Sequence, residues 1–212
     1  NAPRLAPLIT AIGVSIVLQN VAMMIWGRQY IPFPDILPHE PIHLGAVTFL
    51  PVQGVIVGLS GVLMVGLLLL VHHTRLGRAM RATAQAPSVA RLMGVSVDRV
   101  IASTFVIGSV LAAVAGVMVT ANYGQAHAYM GFMLGLKAFS AAVLGGIGNL
   151  AGAVVGGLLL GLIESLGAGY IGDVTGGFLG SQYQDVFAFL VLILVLVFRP
   201  SGLLGERLAD RP

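Results

Sequence analysis

Residues 75–99 read RLGRAMRATAQAPSVARLMGVSVDR, a 25-residue polar island between two long apolar runs. Five arginines, Arg75, Arg78, Arg81, Arg91 and Arg99, stand there against a single acid, Asp98. The flanking runs, Gly45 to Val71 and Val100 to Ala121, are each long enough at about 1.5 Å per residue to cross a hydrocarbon core of roughly 30 Å. An integral membrane protein is therefore expected. Basic residues gathered in one short loop mark the cytosolic side, so the island is expected in the cytosol, within reach of a soluble partner.

Composition points the same way. With 57% hydrophobic and 9% charged residues and a mean hydropathy of +0.96, a soluble domain would lack polar surface, and the lipid bilayer is the expected surrounding. The net charge of +3 raises nucleic acid as a partner, but five of the eleven basic residues lie in the island and the rest sit at span ends. Membrane orientation explains them better than a polyanion does, and no nucleic-acid partner is expected. The chain has no cysteine, which excludes a disulfide framework and any Cys-ligated metal. His39 and His43 have a spacing that suits zinc only on a helix, and Pro41 between them argues against one, so no metal site is expected. The chain opens without Met and runs straight into a span, so earlier membrane segments are expected to be missing from it.

A first span is predicted from Leu5 to Trp26, with Trp26 as an interfacial aromatic. Pro32, Pro34, Pro38 and Pro41, with Asp35 and Glu40, forbid a regular helix and read as an external loop. Gly45 to Val71 returns to the cytosol, with a kink at Pro51 near its outer end. Inside the island, Pro87 starts a short helix of about two turns and Gly94 stops it after Met93. Ser96 caps the third span, and Asp98 sits in its first turn, where the dipole favours an anion. Tyr123 to Gly135 shows no strong periodicity. Leu136 to Leu166 is apolar but interrupted by Gly145-Gly146-Ile147-Gly148-Asn149. One continuous span there would put the acidic stretch Glu164 to Asp185 in the cytosol and Arg199, Arg207 and Arg211 outside, against the orientation rule. Two arms, Leu136 to Leu144 and Leu150 to Leu166, remove the violation as a hairpin whose turn dips into or through the membrane, tolerated where protein or a water-filled cavity surrounds the backbone. The last span runs from Tyr183 to Phe198. The predicted fold is an all-α polytopic transmembrane helical bundle with a broken or re-entrant Gly-rich hairpin.

Candidate functional residues follow from what is costly in lipid. Ser15 and Gln19 lie one turn apart in the first span with Asn20 adjacent, and Gln53 and Ser60 form a similar stripe in the second. Such groups either line a translocation path or hydrogen-bond between helices. Gly148, Gly152 and Gly156 recur every four residues, and Gly157 and Gly161 repeat the spacing, which is the pattern of close helix packing. Amides exposed at the turn, around Gly148 and Asn149, would alternatively face a substrate carboxylate in the path. Lys137 and Glu164, near the outer ends of the arms, either snorkel to the interface or form a buried pair. Gly146 to Ala151 matches the dinucleotide pattern G-x-G-x-x-A without the β-strand and βαβ unit that such a site needs. No Walker A motif and no hydrolytic constellation is present. The chain is not expected to be an enzyme, and a basic loop with a short helix between two spans has the shape of a surface that docks a separate motor.

Five strings add a resemblance: Arg81-Ala82-Thr83-Ala84-Gln85, Ala90-Arg91-Leu92-Met93-Gly94-Val95, Lys137-Ala138-Phe139, Ala142-Val143-Leu144-Gly145-Gly146-Ile147-Gly148-Asn149 and Phe198-Arg199-Pro200-Ser201-Gly202-Leu203-Leu204-Gly205. In this order they closely resemble the bacterial branched-chain amino-acid ABC transporter permeases of the LivH type, from Arg4 to Gly205. The resemblance implies a multi-pass inner-membrane importer subunit with a second related permease, two cytosolic ATPase subunits and a periplasmic amino-acid-binding protein. ATP would bind only to the partner subunits, and no cofactor of the chain's own is implied. Residues 1–212 would form one transmembrane permease domain, as a fragment, with 75–99 as its coupling loop. Pro87, Ala90, Arg91, Leu92 and Gly94 would belong to the coupling helix. The family usually has Asn or Asp before that proline. Ala86 stands here instead and forfeits a cap worth about 1 kcal/mol, which leaves Ser88 as an alternative cap. Two other classes share part of the pattern: a permease of a sugar ABC importer, and a secondary transporter, which would show an internal repeat with carboxylates at the midplane.

Overall fold

A computed structural model describes residues 6–34, 42–44, 47–146, 148–174, 183–199 and 201–205. The described elements run α1 (Ala6–Trp26), β1 (Ile31–Pro32), β2 (Ile42–Leu44), β3 (Val47–Phe49), α2 (Pro51–His73), α3 (Arg75–Gln85), α4 (Pro87–Leu92), α5 (Val97–Tyr123), β4 (Gln125–Ala126), α6 (Met130–Gly145), α7 (Leu150–Val174) and α8 (Gln184–Phe198). Helices dominate, as the apolar runs require. Three are long and apolar enough to cross a membrane: Pro51–His73, Val97–Tyr123 and Leu150–Tyr170. Shorter apolar helices cover Thr10–Trp26, Met130–Gly145 and Ala188–Phe198. Many large apolar side chains along α2 and α5, Val57 and Phe105 among them, are exposed, the reverse of a soluble protein's arrangement. Lipid or further helices have to cover them.

The chain divides into two compact units, Asn1–Met130 and Gly131–Pro212. In the first, α2 and α5 pack together, and α3 and α4 lie across their ends. An antiparallel pair joins β1 to β4, with Ile31 opposite Ala126 and Pro32 opposite Gln125. It ties the segment after α1 to the segment after α5. β2 pairs with β3, Ile42 opposite Phe49. In the second unit, α7 and α8 pack closely around a small core of Ala141, Leu160 and Ala188.

Several boundaries differ from expectation. Pro51 does not kink a span that begins at Gly45: it occupies the first turn of α2, and 47–49 pair as a strand. Proline lacks the N–H that a first-turn residue leaves unpaired anyway, so the helix starts there. Gln53, three residues past the N-cap, accepts a hydrogen bond on Oε1 from the Leu50 amide at 3.3 Å. This is half of a capping box. α6 begins at Met130, well before Leu136, and takes in Gly131 and Gly135, whose poor helix propensity hid it. α7 runs on to Val174, past the expected end at Leu166. Asp35, Pro38, His39, Glu40, Pro41 and the arginines Arg207 and Arg211 lie outside the described residues.

Candidate coupling and translocation site

The basic island folds as two helices. On α3, Arg75, Arg78, Arg81 and Gln85 are exposed, while Leu76, Ala79, Met80 and Thr83 are half-buried. This period matches one turn of helix and gives α3 an apolar side turned to the bundle. α4 starts at Pro87 with Ala86 as its extended N-cap and no side-chain hydrogen bond there. Ser88 therefore does not set the start. At its other end Gly94 has φ +82°. The Gly94 amide donates to Arg91 O and the Val95 amide to Ala90 O, both at 3.0 Å, the paired bonds of a Schellman stop. Ala90 is buried, as are Val97 and Val100 at the start of α5, so α4 is seated on one side. Its other side shows Val89, Leu92 (86% exposed) and Met93 (80%) to solvent. Exposed apolar side chains on a short, firmly capped helix are what a docking surface requires. Arg91 and Asp98 pair at 3.4 Å, but both are exposed, so the pair adds little. Ser96 holds the N-cap position of α5 without a side-chain bond.

The glycine-rich interruption is a tight helix-to-helix turn. A Cβ on Gly145 would sit 1.9 Å from Gly152 O, one on Gly152 2.4 Å from Gly145 O, and one on Gly156 2.1 Å from Ala141 O. Main chain meets main chain here, and no side chain fits. Gly157 would make only an ordinary 3.9 Å contact with Ala141 Cβ, and neither Gly161 nor Gly148 would meet anything within 4 Å. These three stand outside the close contact. Gly148 is needed for another reason, its φ of +94°, which a side chain rarely adopts.

The chain after α8 returns to this turn. The Leu203 amide donates to Leu144 O and the Leu204 amide to Gly145 O, each at 2.9 Å. Both acceptors are among the last carbonyls of α6, which have no partner inside the helix. Asn149 joins the two segments: its Nδ2 donates to Leu204 O at 2.9 Å, and its Oδ1 accepts from the Gly152 amide at 3.0 Å, capping α7. The approach is so close that a Cβ on Gly146 would lie 2.3 Å from the Gly205 nitrogen. Two of the strings quoted above thus form one clasp. The dinucleotide-like pattern at Gly146 to Ala151 is part of this turn, preceded by a helix and not by a strand.

Lys137, Glu164 and Asp185 meet farther along the hairpin. Lys137 Nζ lies 3.0 Å from Glu164 Oε2 and 2.8 Å from Asp185 Oδ1, with side chains 25%, 19% and 31% exposed in that order. Lys137 and Glu164 thus form a half-buried pair instead of snorkelling apart, because a third charge arrives on α8. Asp185 was missed in the sequence. The usable signal was an acid in the first turn of the last span, where a lysine in a neighbouring apolar helix would need it.

Ser15, Gln19, Asn20 and Gln53 bond locally, and Ser60 on α2 is exposed. Gln19 Nε2 donates to Ser15 Oγ at 3.2 Å and Asn20 Nδ2 to Ile16 O at 2.8 Å, each one turn back on α1. Gln53 caps α2, as above.

Interrupted hairpin, several apolar helices and a seated amphipathic island together define a multi-pass membrane protein. The chain belongs to the family described as branched-chain amino acid transport system / permease component, whose model matches residues 1–196. It is 45% identical over 207 residues to the high-affinity branched-chain amino acid transport system permease protein BraD of Pseudomonas aeruginosa, covering 96% of this chain and 65% of that protein. It is 43% identical over 212 residues to the corresponding protein LivH of Escherichia coli K12, covering 97% of this chain and 66% of that protein. The ribose import permease protein RbsC of Escherichia coli K12 is similar at 28% over 147 residues, 66% of this chain and 44% of that protein. The chain thus spans about two thirds of the length of the curated relatives it matches. No solved structure matches it.

Proposed function

We propose that this protein is a membrane-spanning permease subunit of a bacterial inner-membrane importer, passing branched-chain amino acids inward on energy from ATP hydrolysed by separate subunits. The observation that carries this reading is α4. A capped helix between two spans, seated through Ala90 and offering Val89, Leu92 and Met93 outward, suits a groove on a soluble motor, in a family of transport permeases. The partners are then a second related permease, two ATPase subunits that bind the nucleotide, and a periplasmic binding protein that brings leucine, isoleucine or valine. The permease itself carries out no bond chemistry. Ser15, Gln19, Asn20, Gln53, Gly148 and Asn149 remain the proposed path residues, the amides at the turn serving the substrate carboxylate.

The test is uptake into proteoliposomes holding the assembled transporter, with labelled leucine or ribose, each with its own binding protein. ATP-dependent leucine uptake is expected. Ribose uptake alone would place the chain with the sugar permeases, and uptake driven by an ion gradient without ATPase subunits would make it a secondary transporter.

A further inference from the structure

The junction between α2 and α3 is built more firmly than a loop between a span and a surface helix needs. Thr74 leaves the helix at φ −92°, ψ 162°. Its Oγ1 donates to Leu70 O at 2.6 Å, in the last turn of α2, and accepts from the Gly77 amide at 3.0 Å, in the first turn of α3. Gly77 is buried, and a Cβ there would lie 2.1 Å from Val71 O and 2.4 Å from Leu70 O. The third tie comes from the second turn of α3, where the guanidinium of Arg81 donates to Val71 O. A fixed cation on the last carbonyls of a helix meets both an unpaired acceptor and the negative end of its dipole. Among the described residues, Arg81 is the island arginine whose guanidinium reaches the main chain of another helix. α3 passes to α4 through the extended Ala86, which bonds to both helices: its amide donates to Ala82 O at 3.1 Å and its carbonyl accepts from the Ala90 amide at 2.9 Å.

We propose that Arg81 is a positioning residue that welds α3 to the end of α2, so that a push on α4 moves the α2 span instead of bending the chain at Thr74. The inference rests on the importer reading and adds the route by which motion at α4 reaches the membrane. Thr74 alone ties only the first turn of α3. Arg81 stands more than one turn farther on and removes the remaining freedom of the joint. Lysine in its place keeps the charge but loses the planar fork and much of the reach across the helix end.

Arg81→Gln, Arg81→Lys and Gly77→Ala are to be made in the transporter assembled with its ATPase subunits and binding protein. Three quantities are read: ATPase subunits retained on purification, ATP turnover, and leucine taken up per ATP. For Arg81→Gln, normal retention and turnover are expected with uptake per ATP lowered roughly fivefold or more, the lower range of coupling between sites. Arg81→Lys should recover part of the loss, and Gly77→Ala should reproduce it. An unchanged uptake-to-ATP ratio in Arg81→Gln would overturn the proposal, and so would loss of ATPase retention in both arginine variants, because Arg81 would then merely shape the docking surface. If the unsubstituted assembly neither retains ATPase subunits nor transports on ATP, the importer reading itself fails, and this inference with it.

Discussion

A methyl group is enough to test the hairpin. Gly156→Ala places Cβ against Ala141 O, whereas Gly161→Ala meets nothing within 4 Å. The first should cost about 1 to 3 kcal/mol through overpacking, and the second should be close to neutral, as judged by thermal unfolding of the purified protein in detergent. Equal midpoints would mean that the helices do not touch where described. The four-residue glycine spacing was legible in the sequence because it depends only on helical period. Which glycines press on main chain was not, since that depends on where two helices cross. Lys137 offers a second test. Lys137→Met strands two half-buried carboxylates and should destabilise by about 1 to 2 kcal/mol, less than a fully buried broken pair because water still reaches the site. Adding Asp185→Asn should return part of that loss, and a further drop in the same unfolding assay would contradict the shared ion pair.

The helices with long, unmixed apolar runs were readable, and the island with them, because proline and glycine punctuate it at Pro87 and Gly94. Errors arose where the same residues admit two roles. Pro51 starts a helix as readily as it kinks one, and Gly131 and Gly135 hid the first part of α6, from Met130 to Gly135. The clasp between 201–205 and the 145–149 turn had no local signal, since it pairs amides and carbonyls far apart in sequence. Its strength is measurable. Asn149→Ala removes both the cap of α7 and the bond to Leu204 O and should cost about 1 to 2 kcal/mol. Gly94→Ala forces a side chain into a left-handed backbone at φ +82° at about 1 to 2 kcal/mol. That change should fray the end of α4 and lower the yield of co-purified ATPase subunits without altering insertion of the spans.

At the scale of the whole molecule, the charge pattern sets the orientation. By that rule the island is expected on the cytosolic side and the strand after α5 on the other. The chain has no native cysteine, so single cysteines at Ala84 and Gln125 report their side through an impermeant thiol reagent, with labelling from outside expected only at Gln125. Whether α4 is the docking surface is tested most directly by Leu92→Cys, carrying a photo-crosslinker, in the assembled transporter. A crosslinked adduct between this chain and an ATPase subunit is predicted, with a yield that changes when ATP is added. A transporter that imports leucine normally while Leu92 yields no ATPase adduct would contradict the account.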